Sequence, residues 1–538
     1  MNGGSLLAVT LAAPLVLLAC CLSQRLRPHA LALQWLAPFP ALAAATVAIV
    51  DGPLAFDAPA LRLSLRLDLA GALLLATAAL LWIVVGAGVF LGKAGRPGER
   101  AAISWLLTMT GSLGVFIADD LLSFYLLYAL VSIPAYGMIV TTEAPGQKRA
   151  GAVYMAFTIL GEGLLILAFA MLAAGAPSGG VRIPDVVAAL PGSPWRDATL
   201  ALIFAGFGMK MALAPMNGWM PLTYTAAPLP AAAVLSGAAV KAGVIGLIRF
   251  LPLDVPMQAW GDALAVLGFV SAFYGVAIGL TQTNPKTVLA YSSISQMGVI
   301  AAALGLALIA GDAAARPEVA FYAANHMLAK GALFLTIAAL PAMGADRSSW
   351  RIALAAALAL TLAGLPFTGG ALAKLAVKSS FDSGLAAGLA SASSAATALL
   401  MLHFLRLLIS RPAPLDEEAT AVSAFRPAWP VIAAGAILVP WLLYPAIGEL
   451  SDALAPGKLW DSLWPILIGA ALAAVLPRLQ RFLPRIPEGD SVVALEAAFE
   501  RSLALGAPLE KIDASLRMWP VGGLALLAIA LILAAMAI

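Results

Sequence analysis

Six side chains that can carry or pass a proton lie within apolar runs of membrane length: Lys210, Lys241, Lys330, Lys374, Glu162 and His326. A permanent charge at the centre of such a run costs roughly 2.5 to 3.5 kcal/mol on insertion scales, so buried amines that recur mark an ion path by default. Lysine suits the task because a desolvated ammonium can release its proton, whereas arginine stays charged. Lys210 and Lys241 flank a stretch holding Pro215, Gly218, Pro221, Pro228 and Pro230, and each proline removes a backbone donor and obstructs the preceding turn. A break at membrane depth is tolerated only where the freed backbone faces protein or water. His326 and Lys330 stand four residues apart and share one helix face. These residues permit proton hopping between lysines through water held by hydroxyls, carbonyls and amides. Blander readings stand beside it: a lysine can snorkel to an interface with its stem in lipid, and a buried histidine can be merely packed. Lys378, with Asp382 four residues on, reads as an ordinary ion pair; Lys286 reads as an interfacial anchor or a channel mouth, and His403 and Arg406 as interfacial.

The elements that must position these groups are membrane helices. Of 538 residues 62% are hydrophobic and 11% charged, against about 25% charged in a soluble globule, and the net charge of +3 is too small and scattered for a nucleic-acid partner. Cys20 and Cys21 are adjacent in an apolar run, which excludes a disulfide framework or a multi-cysteine metal site. LLAC, ending at Cys20, looks like a lipoprotein cleavage box, but no basic residue precedes it and Arg25 and Arg27 follow, so a retained first helix is expected. Apolar runs recur about sixteen times, near 5–22, 31–50, 68–92, 101–118, 120–141, 150–174, 198–215, 229–251, 258–282, 287–310, 319–341, 352–372, 385–409, 427–447, 460–477 and 518–537. Odd-numbered connections carry Arg25 and Arg27, Lys93, Arg96 and Arg100, Lys148 and Arg149, Lys286, Arg347 and Arg351, then Arg478, Arg481 and Arg485; the fourth and fourteenth carry Asp119, Asp120, Glu449, Asp452 and Asp461. The positive-inside bias therefore places odd connections in the cytoplasm and both termini outside it, in a bacterial-type inner membrane. Between the last two spans, charged and apolar residues interleave at near-helical spacing, as in an amphipathic helix pair lying on the cytoplasmic surface.

The stretch from Phe204 to Phe250 resembles the central signature of the antiporter-like, proton-conducting membrane subunits of respiratory complex I, Mrp-type cation/proton antiporters and membrane-bound hydrogenases. The matching residues are Gly206, Gly208, Lys210, Pro215, Trp219, Pro221, Ala227, Pro228, Pro230, Ser236, Gly237, Lys241, Gly243 and Arg249, with Asn217 where the family has histidine. TQTNPKTVLAYSSISQMG is similar to the family's tenth helix, with Lys286, Tyr291, Ser292, Ser293 and Gln296 in place and Asn284 where aspartate is usual. FYAANHMLAKGALFL matches the eleventh, with Asn325, His326 and Lys330, and GLPFTGGALAK the twelfth, ending in Lys374, where Leu375 replaces the usual acid. In the fifth, Tyr128 is followed by Ala129 where the family has a glutamate paired with Lys210; Glu162, the only acid within TILGEGLLILAF, is the expected substitute.

The resemblance implies an all-α polytopic membrane protein of about 16 transmembrane helices, with helices seven and twelve discontinuous and two inverted five-helix repeats. The expected divisions are 1–100 (helices one to three), 101–252 (four to eight), 253–410 (nine to thirteen) and 411–538 (fourteen to sixteen with the amphipathic segment). It implies a proton-translocating subunit of a multisubunit complex, with other membrane subunits as partners. Nothing in the chain reads as a nucleotide loop, cluster ligand set or flavin fingerprint, so no cofactor is expected and the driving force must come from partners or another ion gradient. Two alternatives stay open: a scaffold or coupling subunit whose first channel has decayed at Ala129, Asn217 and Asn284, or an energising subunit for uptake of a solute such as inorganic carbon.

Overall fold

A computed structural model describes residues 3–58, 63–91, 98–176, 180–339, 349–381, 384–410, 429–479, 484 and 486–499. Helices occupy fifteen of the sixteen expected spans: α1 (Gly3–Cys20), α2 (Arg27–Asp51), α3 (Leu69–Leu91), α4 (Glu99–Gly114), α5 (Leu121–Ile139), α6 (Pro145–Gly175), α7 in two pieces (Arg196–Met211 and Trp219–Ala226), α8 (Leu229–Phe250), α9 (Gln258–Gly279), α10 (Pro285–Ala310), α11 (Ala315–Ala339), α12 in two pieces (Ser349–Thr361 and Gly369–Ala376), α13 (Gly384–Ser410), α14 (Trp429–Ala446) and α15 (Pro456–Leu479). The sixteenth, 518–537, lies outside the described residues, as do Lys93, Arg96, Arg347, Arg481, Arg485 and the expected surface segment from 500 onward. Residues up to Glu488 form one compact unit. Of the second, the described part is helical over 490–499.

Among the described residues, eleven helices are long and apolar enough to cross a bilayer. The other four are α4, α7, α11 and α12, and three of these carry Lys210, Lys330 and Lys374. Three of the buried lysines thus sit where the helical pattern is interrupted or diluted by polar residues, the places where lipid contact would be most unfavourable, whereas Lys241 and Glu162 lie on the apolar helices α8 and α6. Burial sets α8 apart: it is buried through its whole apolar window and α10 over 83% of it, against 17% for α1.

Each break has a local cause. The first piece of α7 ends where Ala212 turns left-handed (φ 55°), and Pro215 and Gly218 fill the gap before the second piece starts at Trp219. Trp219 Nε1 donates to Met209 O at 2.8 Å and Ser271 Oγ accepts from Ala214 N at 3.0 Å, so neighbours take up exposed backbone groups. The α12 break passes through Gly364 (φ 91°) and Phe367 (φ 61°); a Cβ on Gly364 would lie 2.7 Å from Lys374 Cδ, so only glycine leaves room for that amine's stem. In α8 the interruption is a π-turn, Leu235–Ala239, directly before Lys241.

An antiparallel hairpin, β1 (Leu54–Ala58) and β2 (Leu63–Leu67), caps the bundle between α2 and α3. The alternation LSLRL at Leu63–Leu67 was its sequence signal, too short to stand out against the flanking apolar runs. Arg249 closes the same end: it donates to Ala118 O and, at 2.5 Å, to Phe116 O. Asp119 pairs with Arg182 at 2.6 Å, and Asp120 caps α5 by accepting from Ser123 N at 2.8 Å.

Candidate functional site: three buried amine centres

The first centre lies between α5, α6 and α7. Lys210 Nζ donates to Ser132 Oγ at 2.8 Å, and Ser132 Oγ donates to Tyr128 O at 3.0 Å, one turn back. Tyr154 OH holds Ser132 O at 2.8 Å, and the ammonium sits 5.8 Å and 5.9 Å from the ring centroids of Tyr128 and Tyr154, within cation–π range. Glu162 lines the same cavity of about 20 Å³, room for one water. Its Oε1 is buried with no hydrogen-bond partner, and it makes no salt bridge to Lys210 within 4.0 Å. Phe124, Phe169, Phe207 and Phe250 pack beside Tyr128, the closest rings 4.6 Å apart, and form a dry wall. Gly243 brings α8 against this turn of α7, since a Cβ there would lie 3.1 Å from Phe207 O and 3.2 Å from Lys210 Cβ.

At the second centre α8 meets α11. Lys241 Nζ lies 2.6 Å from His326 Nδ1 and donates to Ser236 O, within the π-turn, at 3.1 Å. At this distance one nitrogen donates to the other, and the two cannot both be charged, because two protonated cations in contact away from water would repel strongly. One turn on, Lys330 Nζ donates to Leu289 O on α10 at 2.8 Å, and Ser293 Oγ donates to the same carbonyl at 3.1 Å. All three side chains are fully buried, and among the described residues no carboxylate forms a salt bridge with any of them. His326 Nε2, Asn325 Oδ1 and Ser292 Oγ are buried without hydrogen-bond partners. Ser236 Oγ reaches Ala233 O at 3.4 Å.

The third centre is Lys374, on the second piece of α12, whose amine donates to Ser394 Oγ on α13. It faces a cavity of about 330 Å³ also lined by Tyr322, Ser393, Trp441, Lys458 and Asp461. Gln296 stands between the second and third centres: its Nε2 donates to Thr397 Oγ1 at 3.1 Å and its Oε1 accepts from Tyr322 OH at 2.7 Å. No hydrogen bond among the described residues joins Lys210 to Lys241 or Lys330 to Lys374.

The remaining expected residues lie as follows. Lys378 pairs with Asp461 on α15 at 2.9 Å; its expected partner Asp382 lies outside the described residues. His403 is buried and bonds Gln282 O at 2.9 Å, because α9 and α10 cover that face of α13. Lys286 caps the second piece of α7, donating to Thr225 O and Ala227 O at 3.3 and 3.0 Å. Asn284 caps α10 by accepting from Lys286 N at 3.1 Å, and Asn217 in the α7 break reaches Tyr274 OH at 3.3 Å. Pro215 lies in that break and Pro221 in the first turn that follows. Sequence reasoning missed Ser132, Tyr154 and Ser394, whose hydroxyls contact the amines or their immediate neighbours, and the ring of Tyr128 beside Lys210; a lone serine in an apolar run carries no signal until its partner is known.

The fold and its buried amines define a polytopic membrane protein of the discontinuous-helix type, with polar centres inside an apolar bundle. Residues 118–399 match the family model for the NADH:quinone oxidoreductase/Mrp antiporter transmembrane region, and the chain belongs to that family. It is 28% identical over 398 residues to NADH-quinone oxidoreductase subunit N of Chromohalobacter salexigens, covering 70% of this chain and 83% of the relative. Hydrogenase-4 component B of Escherichia coli is 26% identical over 289 residues, 51% of this chain but only 42% of that protein. Among solved structures the Mrp complex from Dietzia superposes with a TM-score of 0.73 at 22% identity, covering 99% of this chain and 62% of that one. Respiratory complex I from Thermus thermophilus gives 0.64 at 23% identity over 82% of this chain and 100% of the other.

Proposed function

We propose that this chain is a proton-translocating, antiporter-like subunit of a larger membrane complex, and that Lys210, Lys241, Lys330 and Lys374 carry the proton with His326 and Glu162. The contact between Lys241 and His326 carries the reading: a 2.6 Å pair of bases, fully buried and with no acid paired to it among the described residues, is unfavourable as architecture and useful as a proton relay. Structural proteins avoid leaving amines unneutralised in a dry core. Ser236, Ser292, Ser293, Gln296 and Asn325 supply the hydroxyls, carbonyls and amides between which water can bridge gaps longer than one hydrogen bond. Pro215 and Pro221 keep α7 open beside Lys210. Glu162 takes the place of the family's helix-five glutamate, within the same small cavity as the lysine it would modulate.

Helices α4–α8 (101–252) and α9–α13 (253–410) form the two inverted units of this reading, supported by one discontinuous helix in each. Both termini face away from the cytoplasm of a bacterial-type inner membrane, and fusions of a periplasm-active reporter at either end would test it. The partners are other membrane subunits, of a complex I-like, hydrogenase-like or Mrp-type assembly, and mass spectrometry of the purified complex identifies which. Energised proteoliposomes containing that complex and a pH-sensitive dye test the function: Lys330→Ala should abolish proton movement, and unchanged movement would remove the basis of the proposal.

A further inference from the structure

One polar chain is left unused by that reading. Glu488 follows α15, well beyond the residues matched by the family model. Its carboxylate accepts from Thr287 Oγ1 at 2.6 Å, and Thr287 Oγ1 lies 2.9 Å from Thr225 Oγ1. Thr287 is fully buried in the first turn of α10, and Thr225 is near the end of the second piece of α7. Gln282 Nε2 donates to Ile486 O at 3.1 Å and pins the strap that carries Glu488. The ammonium of Lys286, the nearest cation in sequence on α10, is turned to Thr225 O and Ala227 O.

Deeper along both helices the polarity continues. Thr223 and Ser292 have buried hydroxyls with no hydrogen-bond partner; at a rise of about 1.5 Å per residue they lie roughly 3 and 7 Å further in than Thr225 and Thr287. Leu289, whose carbonyl holds the Lys330 amine, is two residues along α10 from Thr287. A carboxylate at the mouth, two hydroxyls in contact and two more beyond thus lead toward the second amine centre.

We propose that Glu488 is the proton-accepting group that feeds Lys330 from the side of the membrane on which Lys286 lies, through Thr287, Thr225 and water held by Thr223 and Ser292. The step balances as an exchange. The Glu488 carboxyl gives its proton to Thr287 Oγ1, Thr287 passes its own to Thr225, and Thr225 releases one inward; both hydroxyls are restored. This inference rests on the proton-translocating reading.

The test uses the whole complex in proteoliposomes. Glu488→Gln should slow proton uptake by about a hundredfold, the lower end for a lost positioned proton-transfer group. Glu488→Asp should retain uptake, and sodium formate, a small mobile weak acid, should restore it in Glu488→Gln. Wild-type uptake in Glu488→Gln overturns the proposal. So does slow uptake that neither formate nor aspartate relieves, which would make Glu488 a strut. If Glu488→Gln does not assemble, Thr287→Val decides: slowed uptake upholds the relay and unchanged uptake overturns it. Lys330→Ala run alongside separates the two readings. A dead Lys330→Ala beside a normal Glu488→Gln sinks the Glu488 assignment alone, whereas an active Lys330→Ala sinks both.

Discussion

Lys210 and Lys374 share the same first contact and differ in everything around it. Each sits on a discontinuous helix and donates to a serine on another helix, and each serine donates in turn to a carbonyl four residues back, Tyr128 O or Ala390 O. Around Lys210 the space is about 20 Å³, closed by aromatic rings, with Glu162 as a buried acid. Lys374 instead faces about 330 Å³, and the acid in that cavity, Asp461, is tied to Lys378. In the proposed relay, one polar pair placed in two environments would serve two tasks: holding a proton beside a buried acid, and exchanging it with a larger volume.

The largest effect expected is loss of proton movement in Lys241→Ala and Lys330→Ala alike, because among the described residues no carboxylate pairs with the second centre and could take over; dye quenching in proteoliposomes reads it. Next, arginine should separate the flanking centres. Both Lys210→Arg and Lys374→Arg stop proton release because guanidinium stays charged, but only Lys210→Arg should also lower the yield of assembled complex. Its cavity has room for about one water. Equal yields would erase the distinction between closed and open centres.

Glu162→Gln should slow transport several-fold, about 1 kcal/mol or more on the barrier, while leaving the complex assembled. Unchanged flux beside an inactive Lys210→Ala would remove Glu162 from the path. On stability rather than rate, Ser132→Ala and Ser394→Ala each delete one hydrogen bond to a lysine amine, worth up to about 1.5 to 3 kcal/mol where no water replaces it and less where one does. Ser132→Ala should cost more, because the larger cavity at Lys374 admits water in place of the lost hydroxyl.

The smallest effect tests a region away from both centres. Asp254 pairs with Arg316 at 2.6 Å outside the membrane spans, and this hydrogen bond holds its carboxyl below the usual value. A depressed folded-state value means the stabilisation is present above the unfolded carboxylate value and is lost as pH falls through the folded one. Both groups are partly exposed, so Asp254→Asn should cost no more than about 0.5 kcal/mol, with no change in proton movement.

Much of the architecture was legible in the chain because membrane insertion is a one-dimensional problem: about twenty apolar residues make a span whatever packs against it. The spans occupied by α1 to α15, the breaks in α7 and α12, and the amines beside them all follow from hydropathy, proline and glycine placement and the family motifs. The pairing of His326 and Lys330 on one face follows from helical periodicity alone. Other features were invisible because they depend on which helix faces which. The 2.6 Å contact between Lys241 and His326 joins residues 85 apart, and the Ser132 hydroxyl gains meaning only when α5 is laid against α7. Lys378 has a partner on α15, Asp461, that its own stretch of sequence could not name. Composition and periodicity decided that charge would be buried, since both act within a single helix. Tertiary packing alone decided what each buried charge touches and how much space surrounds it, since contact and cavity arise only between helices.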